Sequence, residues 1–246
     1  VHRATVLEGQ AEVGGSAVGT VDLDRRLAIS RAHTATHMLH KAFREILGDT
    51  ATQMGSENSP GRLRFDFPSP QAVPDSVLAD VEERVNEVLI QDLQVDIRTM
   101  SQDDARSIGA MALFGEKYGD QVRVVSVGDW ARELCGGTHA HRSGELGVVK
   151  FLSEGSIGAG IRRVEALVGI DAYKYLATEH LLLSRISEMV KSRPEELPER
   201  IDALMNKVRD LDKELGKFRS AALAAGIDDI LAAGIDTSRG RAWVFA

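Results

Sequence analysis

Two pairs of potential metal ligands, far apart in the chain, place the strongest constraint on how this sequence folds. The segment HTATHMLH holds three of the seven histidines. Two of them, His33 and His37, are four residues apart, so on a helix their rings project to the same side. The segment ELCGGTH repeats this separation with Cys135 and His139. If both pairs bind one ion, the fold must bring these two distant segments together.

Imidazole and thiolate are the ligands that zinc prefers in proteins, so each pair supplies half of a zinc site. The histidine pair alone is more often a solvated helix surface, and Cys135 alone is more often a small buried apolar side chain. Together, the two pairs favour a metal centre. Gly136 and Gly137 allow the tight backbone path that such a loop needs. We expect His40 to lie beside the site or at the surface, and His141 to be a neighbour only.

Composition limits the class of protein. A single cysteine excludes an intramolecular disulfide and fits a reducing, cytoplasmic setting. No apolar run approaches the roughly 18 residues that span a bilayer, so we expect no membrane segment. The net charge of −7 argues against a generally basic surface for nucleic acid, although it leaves room for a local basic patch. The absence of an initial methionine suggests a fragment of a longer protein.

The first part of the chain predicts strands and turns followed by a helix. Residues 1–29 contain short apolar runs punctuated by glycines, which is typical of strands and turns. Ser30 is predicted to cap a helix over residues 31–47. Its apolar residues fall on one face, and the histidines fall on the opposite face, which we expect to be exposed. The apolar face comprises Ala35, Met38, Leu39, Ala42, Phe43 and Ile46.

The middle of the chain mixes strands and helices without regular alternation. This pattern favours an α+β fold with a mainly antiparallel sheet over a doubly wound sheet. Ser101, with Asp104 three residues later, resembles a capping box for a short helix. A longer helix is predicted over residues 74–92, and strands are predicted over residues 62–67, 95–100, 122–127, 147–154 and 161–169.

The pattern changes after Gly169 and becomes helical. A helix is predicted over residues 171–191, followed by an interruption at Pro194 and Pro198. Apolar residues then recur with the alternating spacing of a heptad seam until Gly226, which we expect to end the helix. This seam indicates either an amphipathic helix packed on its own protein or a coiled-coil-like arm. The final RAWVFA resembles the first strand of a further unit. The seam comprises Leu197, Ile201, Leu204, Val208, Leu211, Leu215 and Phe218.

The histidine motif also narrows the chemistry. HTATH lacks the glutamate of HExxH, so the general base of helix-borne metallopeptidases is missing. A peptidase is therefore disfavoured. Hydrolysis of a more reactive bond, such as an activated ester, stays open.

Several segments, taken in order, resemble the editing domain of alanyl-tRNA synthetase. They are SRAHTATHMLHKAFREILG, LRFDF, FGEKYGDQVRVVSVG, ELCGGTH and GIRRVEALVG. Free-standing alanyl editing proteins and threonyl-tRNA synthetases share the metal motif, but GIRRVEALVG followed by a heptad arm favours the alanyl enzyme. The resemblance divides the chain into the end of a small β-barrel segment (1–29), an editing domain (30–169), a helical arm (170–225) and the start of a C-terminal domain (226–246).

The resemblance implies hydrolysis of the ester that joins serine or glycine to tRNA(Ala). A tRNA-binding module with structural zinc is the alternative. Four protein ligands make a closed set, whereas catalytic zinc usually keeps an open position. The ion therefore either gives up a ligand, expands its coordination, or only anchors the substrate. The implied zinc ligands are His33, His37, Cys135 and His139.

The resemblance also suggests residues that act on the substrate. Gln53, in the segment TQMGS, matches a family glutamine near the substrate. Arg162 or Arg163 supports the site or the RNA end, unless each merely pairs with a strand carboxylate such as Glu165. Thr34 offers a hydroxyl to the substrate, although helix packing explains it almost as well, and the same holds for Thr36. The expected partner is the acceptor end of tRNA(Ala) carrying serine or glycine. We also expect self-association through the C-terminal region.

Overall fold

The structure is a computed structural model that describes residues 3–10, 12–112 and 119–243. The chain divides into two compact units, Val1–Leu176 and Ala177–Ala246. The described residues form five α-helices: α1 (Leu23–Leu47), α2 (Asp75–Ile90), α3 (Gln102–Ser107), α4 (Ile170–Val190) and α5 (Leu197–Ala232). Short 3-10 helices cover Ser143–Leu146 and Pro194–Glu196.

Nine strands form three antiparallel sheets in the described part of the chain. The strands are β1 (Gly55–Ser59), β2 (Arg62–Pro68), β3 (Val95–Ser101), β4 (Gln121–Val127), β5 (Ala131–Leu134), β6 (Val149–Gly158), β7 (Ile161–Val168), β8 (Ile235–Thr237) and β9 (Gly240–Ala242). The first unit contains a four-stranded sheet in the order β1-β2-β7-β6 and a three-stranded sheet in the order β3-β4-β5. The predicted α+β class with mainly antiparallel pairing is therefore confirmed.

The core of the first unit lies between the four-stranded sheet and helices α1 and α2. Strand β2 alternates, so Leu63, Phe65 and Phe67 are buried on one face of the sheet. Phe43 of α1 packs against both phenylalanines, with ring centroids 5.8 and 4.5 Å away. Because α1 is the helix against which this face closes, its position determines where the histidines lie.

Helix α1 is buried on more sides than the sequence predicts. The apolar face is buried as expected, except for Ile46, which is 37% exposed. The histidine face was expected to be exposed, and this is wrong, because His37 and His40 are 5% and 1% exposed. The opposite side of the helix is covered by β5 and by the loop that follows it. The polar face therefore marks a buried polar interface and not a solvated surface.

The beginning of α1 also differs from the prediction. Residues 3–10 and 12–22 contain no strand, and residues 23–29 are already helical. The N-cap is Asp22, whose Oδ1 accepts the N–H of Arg25 at 3.0 Å. Ser30 lies inside the helix, where its hydroxyl donates to Thr138 Oγ1 at 3.1 Å. Aspartate caps helices as well as serine does, and the sequence between the two candidates contains nothing that breaks a helix.

Most other predicted elements of the first unit are confirmed, within a few residues. Ser101 caps α3 as predicted, because its Oγ accepts the Asp104 N–H at 3.1 Å, but the Asp104 carboxylate accepts the Ser101 hydroxyl at 2.7 Å and does not complete a capping box through the backbone. Strands β1 and β5 were not predicted. GSENS is too polar, and AREL too short, to show the alternation of a half-buried strand.

The second unit contains the end of α4, helix α5 and a hairpin of β8 and β9. The predicted interruption is confirmed at Pro194, since a 3-10 helix beginning at this residue separates α4 from α5, but Pro198 does not interrupt a helix, because it lies in the first turn of α5. The prediction that Gly226 ends the helix is wrong, because α5 continues to Ala232. RAWVFA does not provide a first strand either. Arg241 and Ala242 form the second strand of the hairpin, and residues 244–246 lie outside the described residues.

The boundary of the first unit lies within α4 and gives a first prediction. We expect a chain ending at Leu176 to keep one cooperative thermal transition, measured by circular dichroism. A chain ending at Gly169 should melt at a lower temperature, because it loses Ala172, which is fully buried. It also loses Asp171, whose Oδ2 lies so close to Gly61 that a Cβ there would be only 1.8 Å away. Equal melting temperatures for the two truncations would contradict this boundary.

A second prediction concerns pH and the carboxylate that ties α1 to α2. Glu45 accepts hydrogen bonds from Arg84 Nε at 3.0 Å and from Trp130 Nε1 at 2.8 Å. Burial raises the pKa of Glu45, but these hydrogen bonds outweigh burial and lower it below 4.5. Because the pKa of Glu45 is lower in the folded state, its carboxylate stabilises the fold at pH values above its unfolded-state pKa. This contribution is lost as the pH falls through its folded-state pKa.

We therefore expect Glu45→Gln to reduce the free energy of unfolding at pH 7 and to flatten its decline below about pH 4.5. Urea titrations at several pH values, followed through tryptophan fluorescence, measure this decline. The matched control is Glu87→Gln, which removes an exposed carboxylate from the same arginine, Arg84. If the free energy of unfolding of Glu45→Gln depended on pH as in the wild type, the bonds of Glu45 to Arg84 and Trp130 would contribute nothing to stability.

Candidate metal centre

The fold brings the two predicted ligand pairs together in the first unit. His33 and His37 project from successive turns of α1, while Cys135 and His139 lie in the loop that follows β5. One potential ligand atom from each of the four side chains lies within 4.8 Å of the others. The ring centroids of His33 and His139 are 4.3 Å apart. The four residues thus form a group that could hold a metal ion.

The two clustered histidines of α1, His33 and His37, use Nδ1 to bind a protein acceptor. His33 Nδ1 donates to the carbonyl oxygen of Thr138 at 3.2 Å, and its Nε2 lies 3.5 Å from Cys135 Sγ. His37 Nδ1 bonds to a carboxylate oxygen of Glu133. These bonds fix the orientation of each ring and leave Nε2 free to act as a ligand. Such support from neighbouring acceptors is usual for histidines that bind metal.

The third imidazole is oriented in the same way by Thr34. Thr34 Oγ1 lies 3.1 Å from His139 Nδ1 and also accepts the N–H of Ala140 at 3.1 Å. Within the described residues, Nε2 of His37, His40 and His139 is buried without a hydrogen-bond partner, and two of these atoms, those of His37 and His139, belong to the ligand cluster. A buried nitrogen without a partner is costly, so two of them in one cluster require an explanation. An ion bound by these atoms provides it, and the donor set of three nitrogens and one sulfur fits zinc.

Glu133 is the residue of this cluster that the sequence analysis missed. It is 2% exposed, and its two carboxylate oxygens bind Nδ1 of His37 and Nδ1 of His40, the latter at 2.9 Å. His40, which was expected beside the site or at the surface, therefore lies in the hydrogen-bond network behind His37. The available signal was a carboxylate directly before Leu134 and Cys135, in the segment that leads into the second ligand pair. His141 is exposed and is a neighbour only, as expected.

The surroundings adjust the protonation of the ligand set. Burial alone raises the pKa of the Cys135 thiol, but the neighbouring imidazoles of His139, His33 and His37, together with the charge of His37, outweigh burial and lower it to about 3. Burial lowers the pKa of His139 to about 4. At neutral pH the thiolate and the neutral imidazole, which are the forms that bind metal, are therefore favoured.

The buried carboxylate has the opposite effect on His37. Burial alone would lower the pKa of His37, but the charge of Glu133 raises it above its usual value. Burial alone would raise the pKa of Glu133, but the charge of His37 and hydrogen bonds from His37 and His40 lower it. The pair is thus ionic in the absence of metal, and a bound ion would have to replace the extra proton of His37.

The hydroxyl groups suggested as substrate contacts are engaged in the protein. Thr34 is fully buried and bonds to His139 and Ala140, as described above. Thr36 donates towards the carbonyl oxygen of Ala32 at 3.0 Å and Asn58 Oδ1 at 2.7 Å. These contacts support a role for Thr34 in orienting His139.

The suggested arginines form ion pairs on the four-stranded sheet. Arg163 binds both carboxylate oxygens of Asp66, its partner in the β2–β7 register, at 2.7 and 2.9 Å. Arg162 binds both oxygens of Glu154. Both arginines therefore pair with strand carboxylates, as one of the two interpretations expected, although the partners are Asp66 and Glu154 and not Glu165, which binds Arg62 at 2.8 Å.

Gln53 lies half-buried in the segment that leads into β1. The next residue, Met54, donates its backbone N–H to the carbonyl oxygen of Asp66 at 2.8 Å. Gln53 is therefore placed next to the strand that carries the Asp66–Arg163 pair. It is not one of the four clustered side chains.

Comparisons with known proteins identify relatives of this chain. Residues 122–165 match the family model described as the threonyl and alanyl tRNA synthetase second additional domain. An alanine–tRNA ligase of Nocardioides sp. is 64% identical over 232 residues, which cover 94% of this chain and 26% of that protein. The ligase of Acidothermus cellulolyticus is 58% identical over 96% of this chain and 27% of its own length. The ligase of Streptomyces avermitilis is 54% identical over 93% of this chain and 26% of its own length.

This chain is homologous to a segment of the alanine–tRNA ligases. The resemblance seen in the sequence is thereby confirmed. The chain spans about a quarter of the length of the ligases it matches. Within the described residues, none of its helices combines the length and apolarity needed to cross a membrane.

In this ligase segment, Glu133 gives a third prediction. We expect Glu133→Gln to weaken zinc binding by roughly 10–100-fold, since it removes the charge that orients His37. Competition with a chromophoric chelator measures the affinity, and circular dichroism confirms that the variant is folded. Glu145→Gln is the matched control, because Glu145 faces the exposed His141. A folded Glu133→Gln variant with unchanged affinity would exclude Glu133 from supporting the centre.

Proposed function

We propose that this chain is the editing part of an alanine–tRNA ligase and hydrolyses the ester that joins serine or glycine to tRNA(Ala), with zinc as its cofactor. The observation that carries the proposal is the cluster of three oriented imidazoles and one thiolate. This cluster lies in a chain homologous to ligases that attach an amino acid to tRNA. Within the cluster, Cys135 and His139 fall inside the matched family model.

The need for such an activity follows from the sizes of the amino acids. A pocket that accepts alanine excludes glycine only by the contacts of one methyl group, and serine adds only one hydroxyl. Differences of this kind are typically worth roughly 1–3 kcal/mol, which is too little for accurate charging. A second, hydrolytic site multiplies the discrimination.

The residues of the chain have separable roles in this proposal. When bound, zinc supplies positive charge beside the ester, which either promotes attack on its carbonyl or anchors the substrate. Glu133 holds His37, and Thr34 holds His139, so that the ligand nitrogens keep their directions. We assign the choice between aminoacyl groups to Gln53. Arg163, paired with Asp66, supports the RNA end or the site itself.

The partner in this proposal is the acceptor end of tRNA(Ala), bound through a local patch, since the chain carries a net charge of −7. The exposed seam of α5, with Val208 and Leu211 each 53% exposed, supports self-association through the C-terminal region. The single cysteine, with its reactive thiol, supports a cytoplasmic setting. A fused editing domain is favoured over a free-standing protein, because the relatives named above are ligases.

A tRNA-binding module with structural zinc is the second candidate. It is favoured by the ligand set itself, because four protein ligands close a zinc site and structural sites are closed. The two candidates differ in whether the ester is cut.

A fourth prediction separates these candidates. We expect the chain to deacylate seryl-tRNA(Ala) faster than alanyl-tRNA(Ala), and His139→Ala to slow the seryl reaction by about 100-fold or more, since it removes a ligand. His141→Ala is the matched control, because His141 is exposed two residues away. The measurement is release of labelled serine from the tRNA. Binding of zinc and seryl-tRNA(Ala) without hydrolysis above the spontaneous rate would support the binding module instead.

A further inference from the structure

The loop that carries Cys135 is held from one side by a single arginine of β4. The backbone oxygen of Arg123 accepts the N–H of Cys135 at 2.9 Å. Its guanidinium Nη1 donates to the carbonyl oxygen of Cys135 at 2.7 Å and to that of Gly137 at 2.6 Å. The strand pairing of β4 with β5 ends at Leu134, so these bonds continue the attachment beyond the sheet. One residue thus fixes the backbone on both sides of the thiol.

The same loop meets His33 on its other side. A Cβ on Gly137 would lie 2.2 Å from Cε1 and 2.6 Å from Nδ1 of the His33 ring, so no side chain fits there. The adjacent Thr138 accepts the hydrogen bond of His33 Nδ1. A Cβ on Gly136, by contrast, would meet nothing within 4 Å. The position of the loop therefore determines both the location of the Cys135 thiol and the orientation of the His33 ring.

We propose that Arg123 is a positioning residue for the metal centre. It holds the loop in the position at which Cys135 lies beside His33, whose ring occupies the space left by the missing side chain of Gly137. The proposal rests on the metal centre of the proposed function. It assigns Arg123 no contact with substrate. A guanidinium is suited to this task because its donors lie in a rigid plane, whereas a lysine ammonium offers a flexible point charge.

The variants Arg123→Met and Arg123→Lys test the proposal, with Arg98→Met as the matched control on the same sheet. The Arg98 side chain is 74% exposed. Because Cys135 is the only cysteine, its rate of reaction with a thiol reagent reports the loop in metal-free protein. Cobalt(II) spectra report thiolate ligation through the sulfur-to-cobalt absorption, and chelator competition gives zinc affinity. None of these measurements involves tRNA or hydrolysis, so the proposed activity could fail without affecting them.

We expect Arg123→Met to weaken zinc binding by roughly 10–100-fold, to reduce the sulfur-to-cobalt absorption and to speed the thiol reaction several-fold. Arg123→Lys should show smaller changes in the zinc affinity, the cobalt absorption and the thiol reaction rate, and Arg98→Met should match the wild type in all three. A folded Arg123→Met variant with wild-type affinity, cobalt spectrum and thiol rate would overturn the proposal.

A second pair of variants tests the loop if Arg123→Met does not fold. We expect Gly137→Ala to weaken zinc binding and alter the cobalt spectrum, because the methyl group displaces His33. Gly136→Ala should leave both unchanged, because there is space for its methyl group. Equal affinities and spectra for the two alanine variants would overturn the proposed coupling between the loop and His33.

Discussion

The carboxylate of Glu133 lies buried between α1 and β5, with one oxygen bonded to His37 and the other to His40. A buried carboxylate is very costly unless it is paired and hydrogen-bonded, so the fold must supply both histidines to it. Only one rotation and one axial position of α1 bring both rings to β5 at once. The same placement directs His33 and Nε2 of His37 towards the loop with Cys135 and His139. One polar interaction thus sets the geometry of the whole cluster.

The apolar core acts in the same direction. Phe43 of α1 is packed against the phenylalanines of β2. Glu45 adds bonds to Arg84 and Trp130. Helix α1 is therefore held by packing on one face and by hydrogen bonds on the other. This explains why the middle of a helix that carries several histidines is buried.

The sequence predicted the parts of this arrangement that have a local signature. The two ligand pairs, the apolar face of α1 and the alternation of β2 follow from spacing within one segment. Glu133 could not be predicted, because its meaning depends on a partner distant in the chain. The burial of the histidine face was missed for the same reason, since periodicity separates polar from apolar faces but does not tell which polar faces are covered. The start of α1 and its capping by Asp22 were missed because two caps of equal quality compete there.

The two sides of the cluster differ in how they can open. The ligands on α1 belong to a helix that is buried among the residues of the main core, so separating them requires loss of much of that core. The other two ligands lie on a loop that is held by a few hydrogen bonds and by the packing of Cys135 and Ala140 against that core. In hydrogen-exchange terms, the amides of α1 would open only with global unfolding, whereas those of the loop would open locally. Exchange of an ion would therefore proceed by release of the loop, at a rate set by a small structural fluctuation and independent of the lifetime of the fold.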